Sequence, residues 1–426
     1  MPIINKKCII PLINFYLRNH FLCVSLIKAV KTKSKKDIIL ENKNSTKLLL
    51  IIALNKKGSL RKDIEGFLKK MKEKGAGIIA VNACSLEKKE IKRISALIDI
   101  YIETDDIGRS FASYKECFDY IYKNQMNQHC KRLIMCNDSV FYSSHGLNDF
   151  VDTMITTEKN VLGATENHAC DKYLDSYFIS FSGGIINNEK FIAYWRKYKK
   201  TDSKHKIKSE GEIHLSQVLQ SISMGNKDFV SLYNISGIER SHNDITSIVD
   251  LAFAVSMGKH SCEQTTLLKD KFCQDKFIAS YFKKYSKEML PAGYQHSQSA
   301  EKKGGNTPEK NLHSMLFMQW LNHLKTSSPQ PDKALIHALK GRCLEFCVEG
   351  SQIHLNAIIL KKMGLPLVKL DLFYRGYLGM HDMFKITKLL HDKQEVEAFS
   401  QLISSRTAGK HFYKGFMRVA FMHDYI

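Results

Sequence analysis

An α/β fold, with a mostly parallel sheet covered by helices on both faces and a mainly helical C-terminal part, is the architecture the sequence predicts. Two observations carry it. No proline falls between Pro11 and Pro291, so regular elements run uninterrupted there. Within that stretch, short apolar runs of strand length alternate with amphipathic runs of helix length, the signature of βαβ units. A third observation concerns function: three of the strands end in polar residues, and open parallel sheets bind ligands beyond the carboxyl ends of their strands.

The elements follow in order. TKLLLIIAL (46–54) reads as a strand, and SLRKDIEGFLKKMKEKG (59–75) as a helix with a Ser cap and a terminal Gly. Strand AGIIAVNA (76–83), helix LEKKEIKRISAL (86–97) and strand IDIYIET (98–104) come next. A helix over roughly 110–124 and strand RLIMCN (132–137) continue the series. Beyond 146 the pattern is mixed: a helix in GLNDFVDTMI, a strand in NVLGATEN, a strand or hairpin in DSYFISFSGGIINN, and helices over 191–200 and 211–222. Residues 240–345 read as an insertion, with an exposed loop at 290–310 and an amphipathic helix at 315–324. Residues 346–426 form the closing part, ending in an aromatic and basic tail.

Composition narrows the function classes. Hydrophobic residues at 44% and charged residues at 25% are ordinary globular values. A net charge of +21 over 426 residues is not, and it points to an anionic partner: phosphorylated substrate, acidic membrane or nucleic acid. A Lys-rich solvated surface is the plainer reading of the same number. RNP, zinc-finger and helix-turn-helix signatures are absent, which argues against nucleic acid. Eleven cysteines without a CxxC suggest a reduced, cytoplasmic chain. Residues 1–45 carry apolar residues broken by Arg18, Asn19 and His20, then the basic run KAVKTKSKKD. That pattern does not span a bilayer; it fits either an interfacial helix on anionic inner-membrane lipid or a packed N-terminal helix.

Walker A, GxGxxG, GxSxG and HExxH motifs are absent. What remains are polar strand ends: Asn82 after the second strand, Asp105-Asp106 after the third, and Asn137-Asp138-Ser139 after the strand LIMCN. Asn, Asp and Ser are also ordinary turn residues. Transfer from a nucleotide sugar needs cations at the leaving diphosphate and a carboxylate to deprotonate the acceptor. Asp138 suits the diphosphate side. Glu210 or Glu212, at the start of the late helix, suits the base, although acids are common in a helix's first turn.

The order of short motifs resembles the rhamnan synthesis F family of bacterial cell-surface polysaccharide glycosyltransferase-like proteins. The pieces are KLLLIIAL, IIAVNA, DIGRSFASYKECFDYI, LIMCNDSVFY, VLGATEN, LDSYFISFSGGIINNEKFIAYW, GEIHLSQVL and IHLNAIILKKMGLPLVKLDLFYRG. They cover roughly 46–225 and 350–390. The resemblance implies a GT-A-like, Rossmann-type nucleotide-sugar domain over 46–239. It also implies transfer of a sugar, rhamnose from its dTDP form among the options, to a polysaccharide, lipopolysaccharide or lipid-linked acceptor. Asn137, Asp138 and Ser139 match the family's NDS, a counterpart of the DxD motif, so that Asp138 would hold a divalent Mg²⁺ or Mn²⁺. Gly108 and Lys115 match its Gly- and Ser-Tyr-Lys-bearing helix start, Ser176 and Tyr177 its SYF strand, and Glu212 its late acid. Pro366, Lys369 and Asp371 match the closing motif. Lys115 and Lys369 are then diphosphate contacts and Asn82 and Asp106 further donor contacts, and a β-linked donor giving an α-linked product would be inverted by one base, Glu212. The chain departs from the pattern at Asp106, Ser110, Tyr142, Ser143, Tyr173 and Asp175, which leaves a non-catalytic scaffold of an assembly complex as the alternative.

Overall fold

The computed structural model describes residues 15–24, 27, 36–41, 46–104, 108–168, 172–223, 225, 227–255, 268–289, 308–348, 350–405, 412–422 and 425. The Asp105-Asp106 pair and nearly all of the expected 290–310 loop lie outside them. Two compact units divide the chain: Met1–Leu232 with Gly364–Arg375 and Leu390–Ile426, and Tyr233–Met363 with Gly376–Leu389. Residues 364–375 and 390–426, read from sequence as part of the closing segment, thus belong with the first unit.

The first unit is built on a sheet of nine strands. They are β1 (Lys36–Glu41), β2 (Leu48–Leu54), β3 (Gly77–Asn82), β4 (Ile100–Thr104), β5 (Arg132–Asn137), β7 (Val161–Asn167), β8 (Tyr173–Leu174), β9 (Phe178–Ser182) and β10 (Phe229–Tyr233). A separate two-stranded ribbon pairs β6 (Val140–Tyr142) with β11 (Leu367–Lys369). The main order is β1-β4-β3-β2-β5-β9-β7-β10, with β8 beside β7. β4, β3, β2 and β5 are parallel, while β1, β9 and β7 join antiparallel. The chain therefore steps outward from β2 through β3 to β4, then returns to the other side of β2 as β5. A crevice opens between the carboxyl ends of β2 and β5 where the order reverses, and Ala53 lies opposite Asn137 there.

Strand composition explains the layers. β2, LLLIIAL, is buried at all seven positions, which an alternating strand with one wet face would not be. One face packs Leu49, Ile51, Ala53, Leu133 and Met135 against Phe111, Tyr114 and Phe118 of α3 (Arg109–Lys123). On the other, Phe178 stands opposite Cys136 and meets Phe67 of α1 (Lys62–Glu73) at 5.8 Å and Phe150 of α4 (Leu147–Thr156) at 4.8 Å. The α2 helix (Lys88–Ile94) lies between β3 and β4 in the chain. The mixed α/β architecture expected from the periodicity is present, with antiparallel strands added at the flanks.

Two local expectations are corrected. Ser59 does not cap α1: the helix starts at Lys62, and the N-cap residue is Arg61, whose side chain is committed elsewhere. Its end is as expected. Gly75, at φ +77°, lets its N–H reach Lys72 O and the N–H of Ala76 reach Met71 O, closing the last turn. The late helix read as 211–222 is two elements, a π-helical segment at Ile207–Ile213 followed by α6 (His214–Ile222); α5 (Glu189–Lys197) precedes them.

The second unit is helical. Helices Ile245–Val255, Lys276–Met289, Pro308–Thr326 and Lys333–Val348 enclose a core that includes Phe272, Phe317, Trp320 and Cys343. The helix expected at 315–324 is core: Phe317 packs edge-on against Phe282 at 5.1 Å. Among the described residues, no helix is long and apolar enough to cross a membrane.

Candidate functional site

A cavity of about 860 Å³ opens at the carboxyl ends of β2 and β5, lined by Asn55, Lys56, Asn137, Asp138, Ser139 and Ser176, among others. Its further wall comes from Arg109 and Phe111 of α3, from Asp202, Lys204, His205, Lys208 and Glu212, and from Lys369 at the end of the ribbon and Asp371 after it. The volume lies within the range of small-molecule and cofactor sites, about 300–1,000 Å³.

The turn 137–140 is held from below. Arg61 donates from Nη1 to the Asp138 carbonyl at 2.9 Å and from Nη2 to the Val140 carbonyl at 2.6 Å, while Asp63 accepts from Arg61 Nε at 2.9 Å. Asp63 also accepts the Tyr142 N–H at 3.0 Å, and the Tyr142 hydroxyl donates to the Asn137 carbonyl at 2.8 Å. Neither Arg61 nor Asp63 was singled out by sequence reasoning, because a clamp joining residue 61 to residue 140 leaves no local pattern. Arg61 and Asp63 are 12% and 6% exposed, so Arg61→Met strands a buried carboxylate. A loss of about 3–5 kcal/mol in urea unfolding is expected.

Above the clamp, Asp138 Oδ2 accepts the Asn55 N–H at 3.1 Å and faces Lys56 Nζ at 3.5 Å. Asn137 Oδ1 accepts the Ser139 N–H at 3.0 Å. Ser139 Oγ in turn accepts from Lys369 Nζ at 2.8 Å, and that ammonium lies 5.6 Å from the Tyr177 ring centre. Pairing of β11 with β6, Lys369 opposite Val140, brings this lysine across 230 residues to the turn.

The opposite wall is the π-helical segment, where widened turns often mark functional sites. It supplies Lys208 and Glu212. Gly211 is packed so closely on Phe111 that an added Cβ would lie 3.1 Å from the ring. Burial raises the Glu212 carboxyl above its usual range, with Asp175 adding to the rise; the Ser176 hydroxyl, donating at 2.7 Å, and the charges of Lys369 and Lys208 oppose it. Burial also lowers the His205 imidazole, and Arg18 and Lys208 act the same way, so that Lys204 and Lys208 supply the positive charge of this wall at neutral pH.

The structure brings together Asn137, Asp138, Ser139, Ser176, Glu212 and Lys369 of the residues singled out from sequence. Others stand apart from the cavity lining. Asn82 is fully buried, donating to Lys56 O at 2.8 Å and accepting the Lys56 N–H at 3.0 Å, so it shapes the loop that carries Lys56. Lys115 pairs with Asp119 at 2.6 Å, farther along α3. Tyr177 is buried, its hydroxyl 2.8 Å from Thr165 Oγ1. Gly108, at φ +87°, starts α3 with its N–H donating to Asp202 at 2.6 Å, and a Cβ there would lie 2.7 Å from Ala112. Asp106 lies outside the described residues. Lys56, Arg109, Lys204 and Lys208 escaped the sequence reading, although the basic run KHKIK at 204–208 was a signal for two of them.

Asp138 is paired with the Lys56 ammonium, and among the described residues no three His, Cys, Asp or Glu side chains stand together to hold a metal ion. A single carboxylate such as Asp138 can still hold Mg²⁺ or Mn²⁺ together with a ligand's own phosphates and water.

Residues 78–262 match the family model described as rhamnan synthesis protein F. An uncharacterized protein, y4gN, of Sinorhizobium fredii is 26% identical over 162 residues, covering 37% of this chain and 42% of that relative. The match thus spans less than half of the relative's length. No solved structure gives a match. Over residues 78–262 the chain is similar to the rhamnan synthesis protein F family, to which its motif order also points.

Proposed function

We propose that this chain is a glycosyltransferase, with a GT-A-like domain, that moves a sugar from a nucleotide-sugar donor onto a polysaccharide or lipid-linked acceptor. Rhamnose is the first sugar to test, given the family match. One observation carries the reading: a cavity at the sheet's switch point joins a cationic wall to a carboxylate of raised pKa.

In this reading the donor diphosphate lies against Asn137-Asp138-Ser139. Lys56 and Lys369 neutralise the charge that grows on the leaving diphosphate, and fixed cations in a partly dry site do this with little reorganisation. Asp138 positions Lys56 and the Asn55 N–H. No step is routed through a metal ion. Glu212 takes the proton from the attacking acceptor hydroxyl, its raised pKa making it a stronger base than an exposed glutamate. Ser176 orients it through Oε1. One base and no covalent intermediate give inversion at the anomeric carbon.

The pH profile tests the assignment. Glu212 must be ionised to act, so turnover rises with pH through its raised pKa. Ser176→Ala removes a donor that favours the ionised form. Its acid limb should therefore move to higher pH, read in kcat against pH. An unmoved limb would take the base role from Glu212.

A further inference from the structure

Phe21 and Tyr425, which line the outer cavity, come from the two ends of the chain. The N-terminal helical stretch 15–24 buries only Leu17, and residues 414–419 are exposed before Ala420 and Phe421 turn inward. Rings connect these ends: Phe21 stacks on Phe416 at 6.2 Å and on Tyr425 at 6.1 Å, and Tyr16 meets Phe416 edge-on at 5.8 Å. Further apolar side chains are exposed on these two segments, Phe15 at 69%, Tyr16 at 61% and Met417 at 41%. Arg18, Lys414 and Arg418 are exposed among them.

An exposed aromatic cluster of this kind marks an interaction site. Charge selects the occupant. Aromatic and aliphatic side chains interleaved with Arg and Lys are the composition of segments lying in a bilayer interface. A net charge of +21 opposes pairing with a second copy and favours an anionic surface. We infer that this face seats on an anionic lipid bilayer, with Phe21 and Tyr425 bridging the bilayer side to the cavity. On the transferase reading, that seat presents the cavity mouth to a lipid-linked acceptor; the docking itself does not depend on that reading.

The test is flotation of the full chain with vesicles of phosphatidylcholine alone or with added phosphatidylglycerol. Binding to the anionic vesicles is expected, falling as salt screens the charges. Lys414→Glu with Arg418→Glu should weaken it about tenfold or more, since each basic residue near such a surface contributes measurably. Phe15→Asp with Met417→Asp should weaken it on neutral and anionic vesicles alike, with thermal unfolding used to confirm that both variants fold. Absence of flotation by the wild-type chain, unchanged binding by both variants, or dimerisation through this face in sedimentation would overturn the inference. Nucleotide-sugar titration of the same samples separates the two proposals: vesicle binding without donor binding keeps the face and removes the transferase.

Discussion

Glu212→Gln is expected to lower turnover by about 10²–10⁴-fold, the usual contribution of a positioned general base, while leaving donor affinity near the wild-type value. The amide keeps the shape and can still accept from Ser176 Oγ, but it cannot take a proton. A folding argument runs alongside and keeps the test clean. Burial raises the Glu212 pKa, so the folded state favours the protonated form. Stability from this group is full at low pH and is lost as pH rises through the raised value. Glu212→Gln removes that loss, so its melting temperature should equal or exceed the wild type's at pH 8, with the difference shrinking toward pH 4. Low turnover in a protein at least as stable as wild type then reports chemistry. Turnover within about threefold of wild type would remove Glu212 from the mechanism, since it falls well short of a general base's contribution.

Lys369→Met should weaken nucleotide-sugar binding by about 10–150-fold, the range for a hydrogen bond to a charged group. The hydrophobic stem is kept, and the ribbon pairing of β11 with β6 rests on backbone groups, so the fold should survive. Two further signs distinguish this lysine from a passive one. Its charge helps to keep Glu212 ionised, so the acid limb of kcat should also move upward in the variant. Lys115→Met, by contrast, removes an ammonium paired with Asp119 and should leave donor binding unchanged. Equal affinities for the Lys369 variant and the wild type, measured by calorimetry, would place the diphosphate elsewhere.

How far the sequence reveals this site depends on distance along the chain. β2, β3 and β5 are legible because strands buried on both faces read as unbroken apolar runs, and their polar ends are visible as Asn82 and Asn137. That Asn82 turns inward to hold the Lys56 backbone is set by the loop, which no strand pattern describes. The three-residue strands β6 and β11 are too short to show a period, so the ribbon that brings Lys369 to Ser139 is invisible until the chain is folded. The family resemblance, not the periodicity, pointed to Lys369. Glu212 was legible as an acid near a helix start. Its actual setting is a π-helical segment, where the wider turn carries Lys208 and Glu212 to one wall. Lys115 lies within α3 and pairs with Asp119, on a helix face that the legible helix start does not specify.

The most direct measurement is calorimetric titration of the full chain with dTDP-rhamnose and with UDP- and GDP-sugars, before and after removal of divalent ions by chelation. One nucleotide sugar is expected to bind, equally well without divalent ions, and Asp138→Ala should weaken it about tenfold or more by releasing Lys56 and the Asn55 N–H. Binding that appears only with Mn²⁺ would return the diphosphate to a metal at Asp138. No binding of any nucleotide sugar, from a chain shown to be folded, would contradict the donor site and leave Asn137-Asp138-Ser139 as a clamped turn.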